Sequence, residues 1–64
     1  MSGQDKAEIY IEFVVHGGVL KATAIDAATG TEACIFGPAS APREALRRNA
    51  VAKLAYVLKK QKGE

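Results

Sequence analysis

The 64-residue sequence predicts an α+β fold: a three-stranded antiparallel β-meander followed by one long C-terminal amphipathic helix. Three observations lead there. Apolar and polar residues alternate through AEIYIEFVVH, residues 7–16, the period of a half-buried strand. Glycine-bearing turn signals follow, first Gly17-Gly18 and then DAATG at 26–30. Beyond Ser40 the chain is rich in alanine, leucine, lysine and arginine, with apolar residues three and four apart, the period of a helix that buries one stripe.

The first strand is read as Ala7 to His16, with Ile9, Ile11, Phe13 and Val15 on one face. β-branched and aromatic residues suit that pleated surface. Two adjacent glycines then signal a two-residue hairpin, so the second strand is Val19 to Asp26. Asp26 to Gly30 reads as a longer turn with Gly30 at positive φ. Thr31 to Phe36 forms the third strand, and Gly37-Pro38 is expected to end it because proline has no amide hydrogen for the ladder. Ser40 is the expected N-cap, Pro42 is tolerated in the first turn, and Glu44 with Arg48 makes a favourable i,i+4 pair. The helix runs to about Gln61, where Gly63 can end it. Residues 1–6 and 62–64 are expected to be disordered tails of this single small domain.

If Gly17-Gly18 is the turn, Val15 faces Leu20, Phe13 faces Ala22 and Ile11 faces Ala24. Large residues oppose small ones, and the trough so formed suits a helix. Ala33 and Ile35 extend it. Leu46, Ala50, Leu54, Val57 and Leu58 supply the helical stripe.

A chain this short buries only about 60% of its unfolded surface, so disulfides, a metal or a partner chain are the usual remedies. Cys34 is the only cysteine and His16 the only histidine, which argues against a disulfide within the chain and against a structural metal. A well-packed single core or a partner chain remains, and the sequence offers a partner surfaces. The second sheet face carries Tyr10, Val14, Val19, Ile25 and Phe36 among Glu12, Lys21, Thr23 and Glu32. A face turned only to water would be mostly polar. The side of the helix away from its stripe holds Ala45, Ala52, Ala55 and Tyr56. Exposed apolar patches on small proteins mark interfaces, so a homodimer is expected, with Tyr10, Val14, Val19, Ile25, Phe36, Ala52 and Tyr56 as its contact residues. A swapped dimer, made by opening the Gly17-Gly18 turn or extending the Gly37–Ala41 link, is a variant of the same assembly. A bare apolar edge at IYIEFVV would invite a partner strand.

Charge is unevenly placed. Residues 1–42 carry −3, from Lys6 and Lys21 against Asp5, Glu8, Glu12, Asp26 and Glu32. Residues 43–62 carry +6, with seven basic side chains against Glu44. A basic helix on a mildly acidic body suggests an alternative, nucleic-acid contact through Arg43, Arg47, Arg48, Lys53, Lys59 and Lys60. The segment SAPREALRRNAVAKLAYVL, Ser40 to Leu58, resembles the last helix of double-stranded-RNA-binding domains. Of that family's basic triplet only Arg43 is matched; Pro42 and Leu46 stand at the other two places. The family's first helix has no counterpart either, because polar residues precede the first strand. RNA reading in that family needs both regions, so the likeness implies a shared alanine-rich pattern rather than a shared function. Lysine and arginine scattered around a stripe more often keep a protein soluble.

Nothing in the sequence assembles a catalytic centre. His16 precedes a turn, Cys34 sits mid-strand between Ala33 and Ile35, and no base is placed beside either by spacing. VVHGGVLK is not a phosphate loop, since its glycines are adjacent and no helix follows. No catalytic, cofactor or metal-ligating residue is therefore assigned. MSGQDKAE lacks an apolar export segment, and a lone cysteine suits a reducing compartment, so a cytoplasmic protein is expected. From AEIYIEFVVHGG to NAVAKLAYVLKK the chain resembles a group of short alphaproteobacterial proteins that carry a domain of unknown function. That resemblance implies a cytoplasmic bacterial protein and no particular activity. The expected function is a small non-catalytic homodimeric interaction or accessory module, with no membrane contact.

Overall fold

The computed structural model describes residues 8–61. The tails expected at 1–6 and 62–64, and Ala7, lie outside these residues. The elements are β1 (Ile9–His16), β2 (Val19–Asp26), β3 (Glu32–Pro38) and α1 (Arg43–Gln61). The strands form one antiparallel sheet in the order β1-β2-β3, with α1 packed on one face. No helix among the described residues is long and apolar enough to cross a membrane.

The hairpin register is the one the glycines dictate: Val15 pairs with Leu20, Phe13 with Ala22 and Ile11 with Ala24. Gly17 has φ +63° while Gly18 stays at negative φ, which makes a type II′ turn with its required glycine at the first central position. A Cβ at either glycine would meet nothing within 4 Å, so conformation alone separates them. Gly17→Ala should cost about 1–2 kcal/mol through left-handed strain, and Gly18→Ala should be close to neutral. Equal shifts in the melting midpoints of the two variants would refute that assignment.

In the second turn Gly30 has φ +77°, and its N–H donates to the Asp26 carbonyl at 2.7 Å. Asp26 is buried. Its Oδ2 accepts from the Thr29 amide at 3.1 Å and from the Thr29 hydroxyl at 2.7 Å, which satisfies a carboxylate that burial would otherwise penalise.

Three boundaries and placements differ from the expectation. β3 continues through Gly37 and Pro38. The ladder tolerates Pro38 because alternation turns its nitrogen away from β2, so no bond is lost. Ser40 is not the N-cap; it lies in a turn closed by the Ala41 N–H on the Pro38 carbonyl at 2.9 Å. The helix starts at Arg43, and the Pro42 carbonyl accepts its first bonds, from Ala45 and Leu46. Proline fits there because its missing N–H would have had no helical partner.

The third difference is the position of the helix. It packs across β2 and β3 rather than over the whole sheet. The core is Leu20, Ala22, Ala24, Ala33, Leu46, Ala50 and Leu54, with Ile11, Phe13, Ile35, Val57 and Leu58 partly buried against it. Gly37 explains the side chosen: a Cβ there would sit 3.0 Å from Leu46 Cδ2, so the bare backbone at the end of β3 admits the first helical turns. β1 is left at the margin: Val15, expected in the trough under the helix, is 50% exposed, and Ile9 on the same face is 37% exposed.

Candidate interaction surface

The face of the sheet away from α1 is organised in cross-strand rows. Tyr10, Ile25 and Glu32 form one row, Glu12, Thr23 and Cys34 the next, then Val14, Lys21 and Phe36, and finally His16, Val19 and Pro38. In the second row Thr23 is buried and Cys34 half-buried, while Glu12 is exposed. The rows nearest the hairpin are open. Val14, Val19 and Phe36 are exposed, Phe36 at 64%, with half-buried Lys21 between Val14 and Phe36. A lysine so placed lays its methylenes along apolar neighbours and keeps its ammonium wet. The result is an apolar patch with a cationic centre. Tyr10 stands apart, with its hydroxyl 3.3 Å from Glu8 Oε1, and Ile25 is half-buried.

Ala52 and Tyr56 are exposed on the helix, but on its solvent side, beyond the layer that faces the sheet. The seven expected contact residues therefore fall on two opposite surfaces: five on the outer sheet face, two on the back of α1. Sequence periodicity finds each face and cannot say whether two faces meet.

The six candidate cations do not converge. Arg43 lies 5.2 Å over the Phe13 ring, on the sheet side of the helix. Arg47 is exposed; its Nε donates to Glu44 Oε1 at 3.1 Å. The hydrogen bond from Arg47 holds the Glu44 carboxyl below the usual carboxylate range, with the Arg47 and Arg48 charges adding to it. That stabilisation exists at neutral pH and is lost as pH falls through the lowered value. Both groups are exposed, so salt screens the pair. The expected Glu44–Arg48 pair is the looser one, at 3.8 Å. Lys53 turns the opposite way, onto the Cys34 carbonyl at 3.0 Å. Lys60 lies 5.8 Å over Tyr56, and Lys59 points from the solvent side. Arg43 and Lys53 were legible only as charges; their aromatic and carbonyl partners depend on the offset of the helix.

His16 and Cys34 share the outer face but stand two strands and four residues apart, about 16 Å from strand spacing and rise. That is far beyond the reach of an imidazole that activates a thiol. Among the described residues no group of three His, Cys, Asp or Glu side chains could hold a metal ion.

Comparison with known proteins adds a family and nothing about chemistry. No curated protein and no solved structure matches the chain, and the likeness to double-stranded-RNA-binding domains finds no support there. Residues 6–61, which span all four elements, match the family described as Domain of unknown function (DUF6898); the chain belongs to that family.

Proposed function

We propose that the chain is a small homodimeric interaction module with no catalysis of its own. The observation that carries this reading is the amount of apolar side chain one copy leaves open. Val14, Val19 and Phe36 are exposed on the outer face and Ile9 and Val15 beside the helix, while the core holds only two fully buried leucines, Leu20 and Leu54. Burying a large side chain against a partner gives about 1.5–3 kcal/mol, a large gain for a domain of this size.

The alternative, nucleic-acid contact through the basic helix, needs its charges on one surface, and they point in several directions. Light scattering from low micromolar to submillimolar concentration tests both. The expected mass is twice that of the chain, unchanged by short mixed RNA or DNA at low salt. A monomer throughout would overturn the dimer. A gain in mass with nucleic acid that salt reverses would favour the alternative.

A further inference from the structure

The two edges of the sheet are not alike. The Ala27 N–H donates to the Glu8 carbonyl at 3.0 Å. Bonded pairs alternate in an antiparallel ladder, so Tyr10–Ile25, Glu12–Thr23, Val14–Lys21 and His16–Val19 are the bonded pairs of β1 and β2. The N–H and C=O groups of Ile9, Ile11, Phe13 and Val15 then point away from the sheet. On the far side, Asp26 N–H to Thr31 and Ala39 N–H to Gly18, both at 2.8 Å, leave Glu32, Cys34, Phe36 and Pro38 facing outward from β3.

The β3 edge is guarded. Pro38 offers no N–H, and Lys53 Nζ reaches down from α1 to occupy the Cys34 carbonyl. Lysine, proline and an overhanging helix are the usual devices that stop strand addition. β1 is open by comparison: eight residues in unbroken register, without lysine, arginine, proline or glycine, while the helix sits mainly on β2 and β3 and reaches β1 through Arg43 over Phe13.

We infer that two copies join through their β1 edges, antiparallel, to make one six-stranded sheet with both helices on the same face. This rests on the homodimer reading and names its contact. A second copy fits because antiparallel strand addition about a two-fold axis is self-complementary: the outward N–H and C=O groups of one copy meet outward C=O and N–H groups of the other. Charge selects the register. An axis through Glu12 would set Glu12 directly against its copy, and like charges so placed are destabilising. An axis through Phe13 avoids this. It pairs Phe13 with Phe13, Ile11 with Val15, Glu12 with Val14 and Tyr10 with His16. The half-exposed Val15 and the Ile11 side chains then cover one another on the helix side, and the two Val14–Lys21–Phe36 patches come to lie on one continuous outer face.

Amide hydrogen exchange on the full chain, followed by NMR at concentrations where light scattering gives monomer and dimer, tests this. Ile11, Phe13 and Val15 have amides with no partner in one copy. Their exchange should slow by roughly tenfold or more in the dimer, while Tyr10, Glu12 and Val14 are protected at both concentrations. A dimer whose Ile11, Phe13 and Val15 amides still exchange freely would overturn edge pairing and leave the homodimer standing. A chain that stays monomeric would overturn both. Val15→Pro gives an independent check: it removes an outward N–H, spares the ladder to β2, and suits the extended Val14 before it. The variant should be a folded monomer by circular dichroism and light scattering, whereas Phe36→Lys should remain dimeric. The opposite pattern, with Phe36→Lys monomeric and Val15→Pro dimeric, would place the contact on the outer face instead.

Discussion

Leu54→Ala should leave the protein largely unfolded at 37 °C. Leu54 is fully buried, and replacing such a leucine by alanine costs about 2–5 kcal/mol, most where the surroundings cannot close on the void. Closure is limited here. The side chains of the cluster around it include Ala22, Ala24, Ala33 and Ala50, which have no rotamers to swing inward. Alanine is at least as good a helix former as leucine, so the loss is one of packing alone. The whole stability of a domain is about 5–15 kcal/mol, and a 64-residue chain belongs near the bottom of that range. Urea unfolding at fixed protein concentration should show a lower midpoint with an unchanged slope. Tyr56→Ala, at a residue 62% exposed on the same helix, should shift stability by about 0.5 kcal/mol or less. Equal effects at the two positions would mean that α1 does not pack by its Leu46–Ala50–Leu54 stripe.

Ala50→Leu should be damaging in the opposite sense. Ala50 is fully buried in one cluster with the small residues Ala22, Ala24 and Ala33 of β2 and β3. A leucine would push the helix off the sheet or force strained rotamers, at about 1–3 kcal/mol. Ala52→Leu is the matched control. It makes the same chemical change two residues on, at an exposed position, and should leave the melting midpoint close to that of the parent. If Ala50→Leu stabilised the protein, the interface would contain unfilled volume, and the alanines would be there for helix propensity rather than clearance.

The hairpin was legible to the residue because two constraints coincide. Gly17-Gly18 fixes the turn, and period-two alternation fixes which face each residue takes. The end of β3 and the start of α1 lie away from where local rules for proline and serine put them. Pro38 breaks a ladder only where its nitrogen faces a neighbour, and Ser40 caps a helix only if the chain turns into one there. Neither condition is local. The offset of α1 was also out of reach, since five apolar helical residues fit a two-strand bed or a three-strand one. Gly37 held the missing information, because without a Cβ it lets Leu46 come down onto the backbone at the end of β3. Of the candidate surface, the exposure of Tyr10, Val14, Val19, Phe36 and Tyr56 followed from periodicity. The separation of the helix residues from the sheet residues did not, nor did the contrast between a guarded and an open edge, which depends on where Lys53 and the helix come to rest.

Spatial order repeats chain order throughout this fold: β1 beside β2, β2 beside β3, and α1 on the last two strands laid down. The consequence is kinetic. Each pairing closes a link of only a few residues, for which the entropy cost is small, and no strand must wait for a distant segment to arrive. Such low contact order puts the chain among the faster-folding mixed α/β domains. It also assigns an order to unfolding. In an isolated copy, β2, β3 and α1 share the buried cluster and should open together, while β1, joined to the rest through one hairpin and without the helix above most of its length, should peel first.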